Sequence, residues 1–218
     1  MTSRTFTSSR LRTPAVAVLA AAVLALTACN GGGNPGGGGS TSASPSVSAT
    51  PSATPTPTPT AVYKPADAKG KAQNVPVPVL PAAAKAKTKA GLEAFAKYWY
   101  TLMNYAYESG DLKQVDDVTG SNCASCKRVR PTIEAWNSGG QWIVGGRLAI
   151  VSADSKFTAD ADGNYQAIIQ YHRQAISYHR ADGGIEQSSP KTSLQADILI
   201  AKYADGMWSA SNVDRIGG

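Results

Sequence analysis

Leu92-Glu93-Ala94-Phe95-Ala96-Lys97-Tyr98-Trp99-Tyr100-Thr101-Leu102-Met103-Asn104-Tyr105-Ala106-Tyr107-Glu108-Ser109-Gly110 decides the fold. Leu92, Phe95, Trp99, Leu102, Tyr105 and Ala106 recur at spacings of three and four, the mark of a helix with a buried stripe. Tyr98, Met103 and Tyr107 widen that stripe, so more than one side of the helix is expected to be covered. The spacing predicts a helix from about Ala82 to Ser109, stopped by Gly110.

Downstream, Asp111 is placed to cap a short helix running through Val118. Ser121-Asn122-Cys123-Ala124-Ser125-Cys126 reads as a turn into a third helix, ending before Gly139-Gly140. Beyond it the periodicity changes to two. Gln141 to Ala153 reads as a strand with a bulge or bend at Gly145-Gly146. In Tyr165 to Arg180, Tyr165, Ala167, Ile169 and Tyr171 share one face, while Ile176 and Tyr178 have the opposite parity. A one-residue bulge near Arg173-Gln174 restores a common face. Asp160-Ala161-Asp162-Gly163-Asn164 and Asp182-Gly183-Gly184 are turns. Leu194, Ala196, Ile198 and Ile200 alternate in the next strand, Asp205-Gly206 is a tight hairpin, and Met207 to Asp214 closes the sheet. The predicted class is α+β: three N-terminal helices packed on a curved, mostly antiparallel sheet.

Phe95 to Trp99, Asn104 to Leu112 and Cys123-Ala124-Ser125-Cys126 together resemble an uncharacterised family of actinobacterial lipoproteins, domain of unknown function 6318. The helix ending Gly110-Asp111 and the Asp205-Gly206-Met207-Trp208 hairpin are similar to the nuclear transport factor 2-like cone fold. The resemblance spans roughly Ala82 to Asp214. It implies a curved sheet wrapped around helices with a pocket at the wide end, and it implies no particular activity.

Upstream the composition changes. The chain of 218 residues has 16 aromatic side chains, and only Phe6 and Tyr63 precede Phe95. The first third therefore cannot supply a core. Arg4, Arg10 and Arg12 precede an unbroken apolar run from Ala15 to Leu26. As a helix that run spans only about 18 Å, against the roughly 30 Å of a bilayer core, so it suits a secretory signal. Leu26-Thr27-Ala28-Cys29 resembles a lipobox, which implies a signal peptide over 1–28 and diacylglycerol on Cys29. Two acyl chains suffice for stable attachment to the outer face of the cytoplasmic membrane. Residues 29–81 are expected to be a disordered tether. Asn30 to Gly39 is glycine-rich, Thr54 to Thr60 alternates Thr and Pro, and Lys64 to Lys89 is Lys/Ala/Pro-rich. The Ser/Thr tract is a candidate for O-glycosylation or a bare spacer. The globular domain is expected over 82–218.

The net charge of +6 belongs to the lead: the first twelve residues carry +3, Lys64 to Lys89 carries +5, and Ala90 to Gly218 carries −2. A nucleic-acid binder would hold the excess on its folded domain, so nucleic acid is set aside.

Three constellations bear on chemistry. Cys123 and Cys126 form a pair that export would oxidise. A redox-active Cys-x-x-Cys, flanked by Lys127, Arg128 and Arg130, competes with a structural disulfide. The structural reading is preferred, because no strand-helix-strand pattern surrounds the pair. His172 and His179 are spaced too widely for the usual zinc set, so no metal is assigned. Asp160 to Asn164 lacks the glutamate of an EF-hand loop, and the turn reading stands. The candidate pocket lining is Tyr98, Tyr171 and His172. Asp197 would complete it, but its phase against Leu194 to Ile200 points it to solvent, which weakens a general base. No catalytic residue and no cofactor is assigned.

The expectation is a membrane-anchored extracytoplasmic lipoprotein with a ligand- or partner-binding domain. Its partners would be membrane lipid through acylated Cys29 and a cell-wall polymer or another envelope protein. An isomerase or hydrolase acting in the cone pocket is the enzymic alternative. A homodimeric assembly domain using the open sheet face is the third reading.

Overall fold

The structure, a computed structural model, describes residues 61–217. The expected signal peptide, the acylated Cys29 and the tether as far as position 60 lie outside the described residues.

The long helix forms where its stripe requires, with a later start than expected. A short 3-10 turn occupies Ala82–Lys85, and α1 runs Lys89–Ser109. Thr88 separates the two: its side chain accepts the Gly91 N–H at 3.0 Å and so caps the new helix. The reversal is tight enough that a Cβ at position 91 would lie 2.0 Å from the Ala86 carbonyl oxygen, so glycine is needed there. At the other end Gly110 adopts φ +81°, the left-handed cap that ends the helix. Asp111 accepts the Lys113 N–H at 2.9 Å and starts α2 (Lys113–Asp116). The third helix, α3, is Ala124–Trp136.

Seven strands follow: β1 (Trp142–Gly145), β2 (Leu148–Asp154), β3 (Asn164–Arg173), β4 (Ile176–His179), β5 (Ile185–Ser189), β6 (Gln195–Ala204) and β7 (Met207–Arg215). They make two antiparallel sheets, ordered β1-β4-β5 and β2-β3-β6-β7. The class is α+β, with the helices before the strands.

The bulge or bend expected at Gly145-Gly146 is a bend that breaks the strand, the bulge expected near Arg173-Gln174 is a break too, and the two face each other. Gly145 lies opposite Ile176 in the small sheet, and Leu148 lies opposite Arg173 in the large one. The register is therefore continuous across the gap. Gly146 N–H donates to the Ala175 carbonyl and Gln174 N–H to the Arg147 carbonyl, both at 2.8 Å. One long two-stranded ladder thus folds sharply at a single level and serves both sheets. Gly145 and Gly146 take φ +76° and +75°, and a Cβ on Gly145 would lie 2.3 Å from the Ala175 oxygen. This is why the dipeptide sits at the bend. The parity change between Tyr171 and Ile176 reflects the same fold, not a bulge.

The β6 reading needs correction in its phase. Tyr165, Ala167, Ile169 and Tyr171 do share a face, and they pair with Ala201, Leu199, Asp197 and Gln195. Asp197, Leu199 and Ala201 are therefore the buried positions of β6, and Ile198 and Ile200 lie on the other face. Both faces carry apolar residues, and register chose between them. Strand β5 had no apolar alternation to announce it, and it is almost wholly exposed. At the β6–β7 turn, Asp205 and Gly206 both have positive φ, 51° and 78°, as a two-residue hairpin demands. Asp160 accepts the Asp162 and Asn164 N–H groups at 2.9 and 2.8 Å, so that loop is a carboxylate-stabilised turn.

The core lies between α1 and the four-stranded sheet, built on Leu92, Phe95, Trp99 and Leu102 against Ala167, Ile169 and Leu199. The packed unit also begins earlier than position 82. Lys64 and Gln73 exchange two backbone hydrogen bonds around a turn at Asp67–Gly70. The Trp142 indole donates to the Asp67 carbonyl at 2.9 Å. The Tyr63 hydroxyl donates to Glu108. Composition predicted a disordered tether through position 81, but most of these hydrogen bonds are accepted by backbone carbonyls, which composition does not reveal.

Candidate functional site

Asp197 is brought into the interior by the register just described and is 4% exposed. Three elements converge on it. Tyr100 of α1 donates its hydroxyl to Oδ2 at 2.6 Å. Tyr171 of β3 lies 3.0 Å from the same oxygen and 3.2 Å from Oδ1. Arg215, at the end of β7, donates from Nε to Oδ1 at 2.8 Å, and from Nη2 to the Tyr171 hydroxyl at 2.8 Å. The guanidinium also lies 5.7 Å from the Tyr171 ring centroid.

The electrostatics follow from that arrangement. Burial, and then the Asp197 charge, push both phenols far above their ordinary value of 10.0. They therefore remain protonated and act as donors throughout the physiological range. Both carboxylate oxygens of Asp197 accept donors, and a carboxylate so fully engaged is well suited to holding a geometry. Three donors thus occupy three of its roughly four lone-pair sites.

A cavity of about 250 Å³ opens beside this network. It lies between α1, the first turns of α3, β3 and the segment leading into β6. Trp99, Met103 and Tyr107 give it an aromatic and apolar wall, and burial raises the Tyr107 phenol to about 12. Arg128, Arg173 and Arg215 bring three guanidiniums to its edge. A larger groove of about 750 Å³ runs beside Phe157 and Lys89. Its buried polar side chain, Ser155, already donates to the Gln166 carbonyl, so that groove presents no comparable site.

The expected lining is only partly assembled here. Tyr171 is in the cavity. Tyr98 is buried elsewhere on α1, its hydroxyl 3.5 Å from the Pro78 carbonyl. His172 lies on the opposite face of β3 from Tyr171, with Nδ1 3.2 Å from the Thr192 carbonyl oxygen. His179 belongs to the other sheet, stacked on Trp142 at 5.1 Å, so the two histidines do not meet. Asp197, given to solvent on parity, is the centre of the site. Tyr100, Arg173 and Arg215 were missed altogether. The signal that would have found them is the pairing register, which sets Asp197 opposite Ile169.

Cys123 and Cys126 are joined by a disulfide with Cα atoms 5.2 Å apart. Cys123 is 1% exposed and its sulfur accepts the Cys126 N–H at 3.1 Å, at the start of α3. Two of the cations flanking the pair are engaged with carboxylates: Arg128 with Asp214, and Arg130 with Asp116 and Glu134. Among the described residues no three His, Cys, Asp or Glu side chains gather as a metal site would need. Nor is any helix among them long and apolar enough to cross a membrane.

Comparison with known proteins finds a family model, a family of unknown function (DUF6318), that matches residues 61–214. No curated protein matches. Among solved structures, the intermembrane space region of chloroplast protein ARC6 is similar at 8% identity and a TM-score of 0.44, covering 60% of this chain and 98% of that one. Aln2 from a Streptomyces species has 8% identity and a TM-score of 0.35, over 55% and 85% of the two chains. An uncharacterized protein with a cystatin-like fold from Caulobacter vibrioides has 12% identity and a TM-score of 0.34, over 56% and 87%.

Proposed function

The chain belongs to DUF6318, a family of unknown function, and from that premise we propose that it is a lipid-anchored extracytoplasmic protein whose domain binds a ligand or partner and catalyses no reaction. The anchor half of this reading is supported by sequence: a basic start, a twelve-residue apolar run, and Leu26-Thr27-Ala28-Cys29 before a glycine-rich stretch. Acylated Cys29 holds the protein on the outer face of the cytoplasmic membrane. The domain half is supported by one observation above the others. Asp197, the buried carboxylate at the cavity, has both oxygens occupied by phenol and guanidinium donors. A cavity beside a carboxylate already engaged by three donors supports a binding role over acid-base catalysis. The helices against a sharply bent ladder, with a cavity on the helix side, fit the cone architecture of nuclear transport factor 2-like domains.

The full chain, purified from its native membranes, tests both halves. Mass spectrometry of the N-terminal peptide should show Cys29 carrying the diacylglyceryl group, and Cys29→Ser should move the protein to the soluble fraction. An unlipidated N-terminus with unchanged membrane fractionation would overturn the anchor. Denaturing the purified protein should release a co-purifying small molecule or partner. Chemical conversion of that molecule by fresh protein would overturn the non-catalytic reading.

A further inference from the structure

We infer that the cavity beside Asp197 takes a small organic anion, a carboxylate or phosphate monoester on an apolar group, held by Arg173 and Arg215. The inference rests on reading the domain as a binder and supplies its ligand class.

The charge distribution points there. Ala90 to Gly218 carries net −2, yet three arginines border this one cavity and Asp197 is the sole carboxylate lining it. Asp197 is engaged by Arg215. Arg128 is held by Asp214 at 2.8 Å. Arg173 makes no ion pair and no side-chain hydrogen bond among the described residues, although it is half-buried. Its guanidinium is therefore a cation at the cavity with no counter-charge among the described residues, and it can take an anion without first breaking an ion pair.

The backbone of Arg173 and the guanidinium of Arg215 are positioned in advance. Arg173 N–H donates to Thr192 Oγ1 at 3.0 Å, and Thr192 N–H donates to the Arg173 carbonyl at 2.9 Å, which fixes the backbone at the ladder's bend. Arg215 is oriented by Asp197 and Tyr171 through Nε and Nη2. Its Nη1 group remains available for a further acceptor. The remaining wall is Trp99, Met103 and Tyr107, which favours an apolar or aromatic body. A volume of about 250 Å³ equals roughly eight waters at about 30 Å³ each, which fits one ring with one acidic group.

The full chain is titrated calorimetrically with benzoate, phenyl phosphate and benzamide, the last being the neutral match in shape. At least one of the two anions should bind, with benzamide roughly tenfold weaker or worse. Arg173→Gln should weaken the anion by roughly tenfold to a hundredfold, the effect of one charge-assisted contact, without lowering the melting temperature. Equal binding of benzoate and benzamide would overturn the anion inference while leaving a ligand-binding cavity in place. Unchanged anion affinity in Arg173→Gln would overturn the inference too. Absence of binding by all three probes would overturn the ligand class, and the co-purification experiment then separately decides whether the domain binds anything.

Discussion

Tyr100 and Asp197, 97 positions apart in the chain, meet at 2.6 Å in the buried interior. The contact ties the central helix to strand β6, and through Asp197 it also holds Arg215 of the last strand.

Tyr100→Phe should therefore destabilise the domain by about 2 kcal/mol, the worth of a hydrogen bond to a charged acceptor. Asp197→Ala should cost about 3 kcal/mol, toward the low end for a broken buried pair because Arg215 retains access to water. Urea unfolding of the two variants measures both. A Tyr100→Phe curve superimposed on wild type would show that the phenol contributes nothing to stability.

Alkaline pH should unfold the domain earlier than its lysines and arginines alone would predict. Below pH 10 the phenols of Tyr100, Tyr107 and Tyr171 are protonated in both folded and unfolded chains, so they contribute no pH dependence. Above pH 10 the unfolded chain releases these protons while burial retains them in the native state. Stability then falls as pH rises, by up to about 1.4 kcal/mol per pH unit for each phenol. Thermal unfolding between about pH 9 and about pH 12 should show this slope, and Tyr171→Phe should reduce it. An identical slope in the variant would remove Tyr171 from the account.

Replacing Cys123 and Cys126 by serine should lower stability by about 2 kcal/mol, since the bridge closes a loop of only about four residues. The fold should survive, with an unchanged far-ultraviolet circular dichroism spectrum. Loss of the folded state would show that α3 depends on the bridge. Reduction of insulin by the purified protein would instead indicate a redox-active pair.

A chain beginning at position 82 should melt at a lower temperature than one beginning at 61. It loses the Asp67 carbonyl that accepts the Trp142 indole and the Tyr63 contact with Glu108. Trp142→Phe in the longer chain should give part of the same loss. Equal melting temperatures for the two chain lengths would reduce residues 61–81 to a passive stem.

Much of the architecture is legible locally. The stripe Leu92, Phe95, Trp99, Leu102 states a buried helix because its period is a property of adjacent turns. Gly110 and Asp205-Gly206 announce their cap and hairpin because positive φ is a single-residue requirement. Tyr165 to Tyr171 declares its inward face by alternation. The bend between the sheets was visible only as Gly145-Gly146 and a parity change, each with an innocent local explanation. Asp197 was misplaced because β6 is apolar on both faces, so no pattern within the strand could choose between them. Arg173 and Arg215 carried no signal within their own strands, since neither stands in a motif.

The sequence by itself thus determined the α+β class, the central helix and its stop, the closing hairpin and the inward face of β3, all set by residues within a few positions of one another. The tertiary structure alone decided that one ladder folds into two sheets, that residues 61–81 pack onto the domain, and that Asp197 faces inward between Tyr100, Tyr171 and Arg215. Those outcomes depend on the pairing of β3 with β6 and on contacts between residues many tens of positions apart, whose free energy exists only once the chain has closed around them.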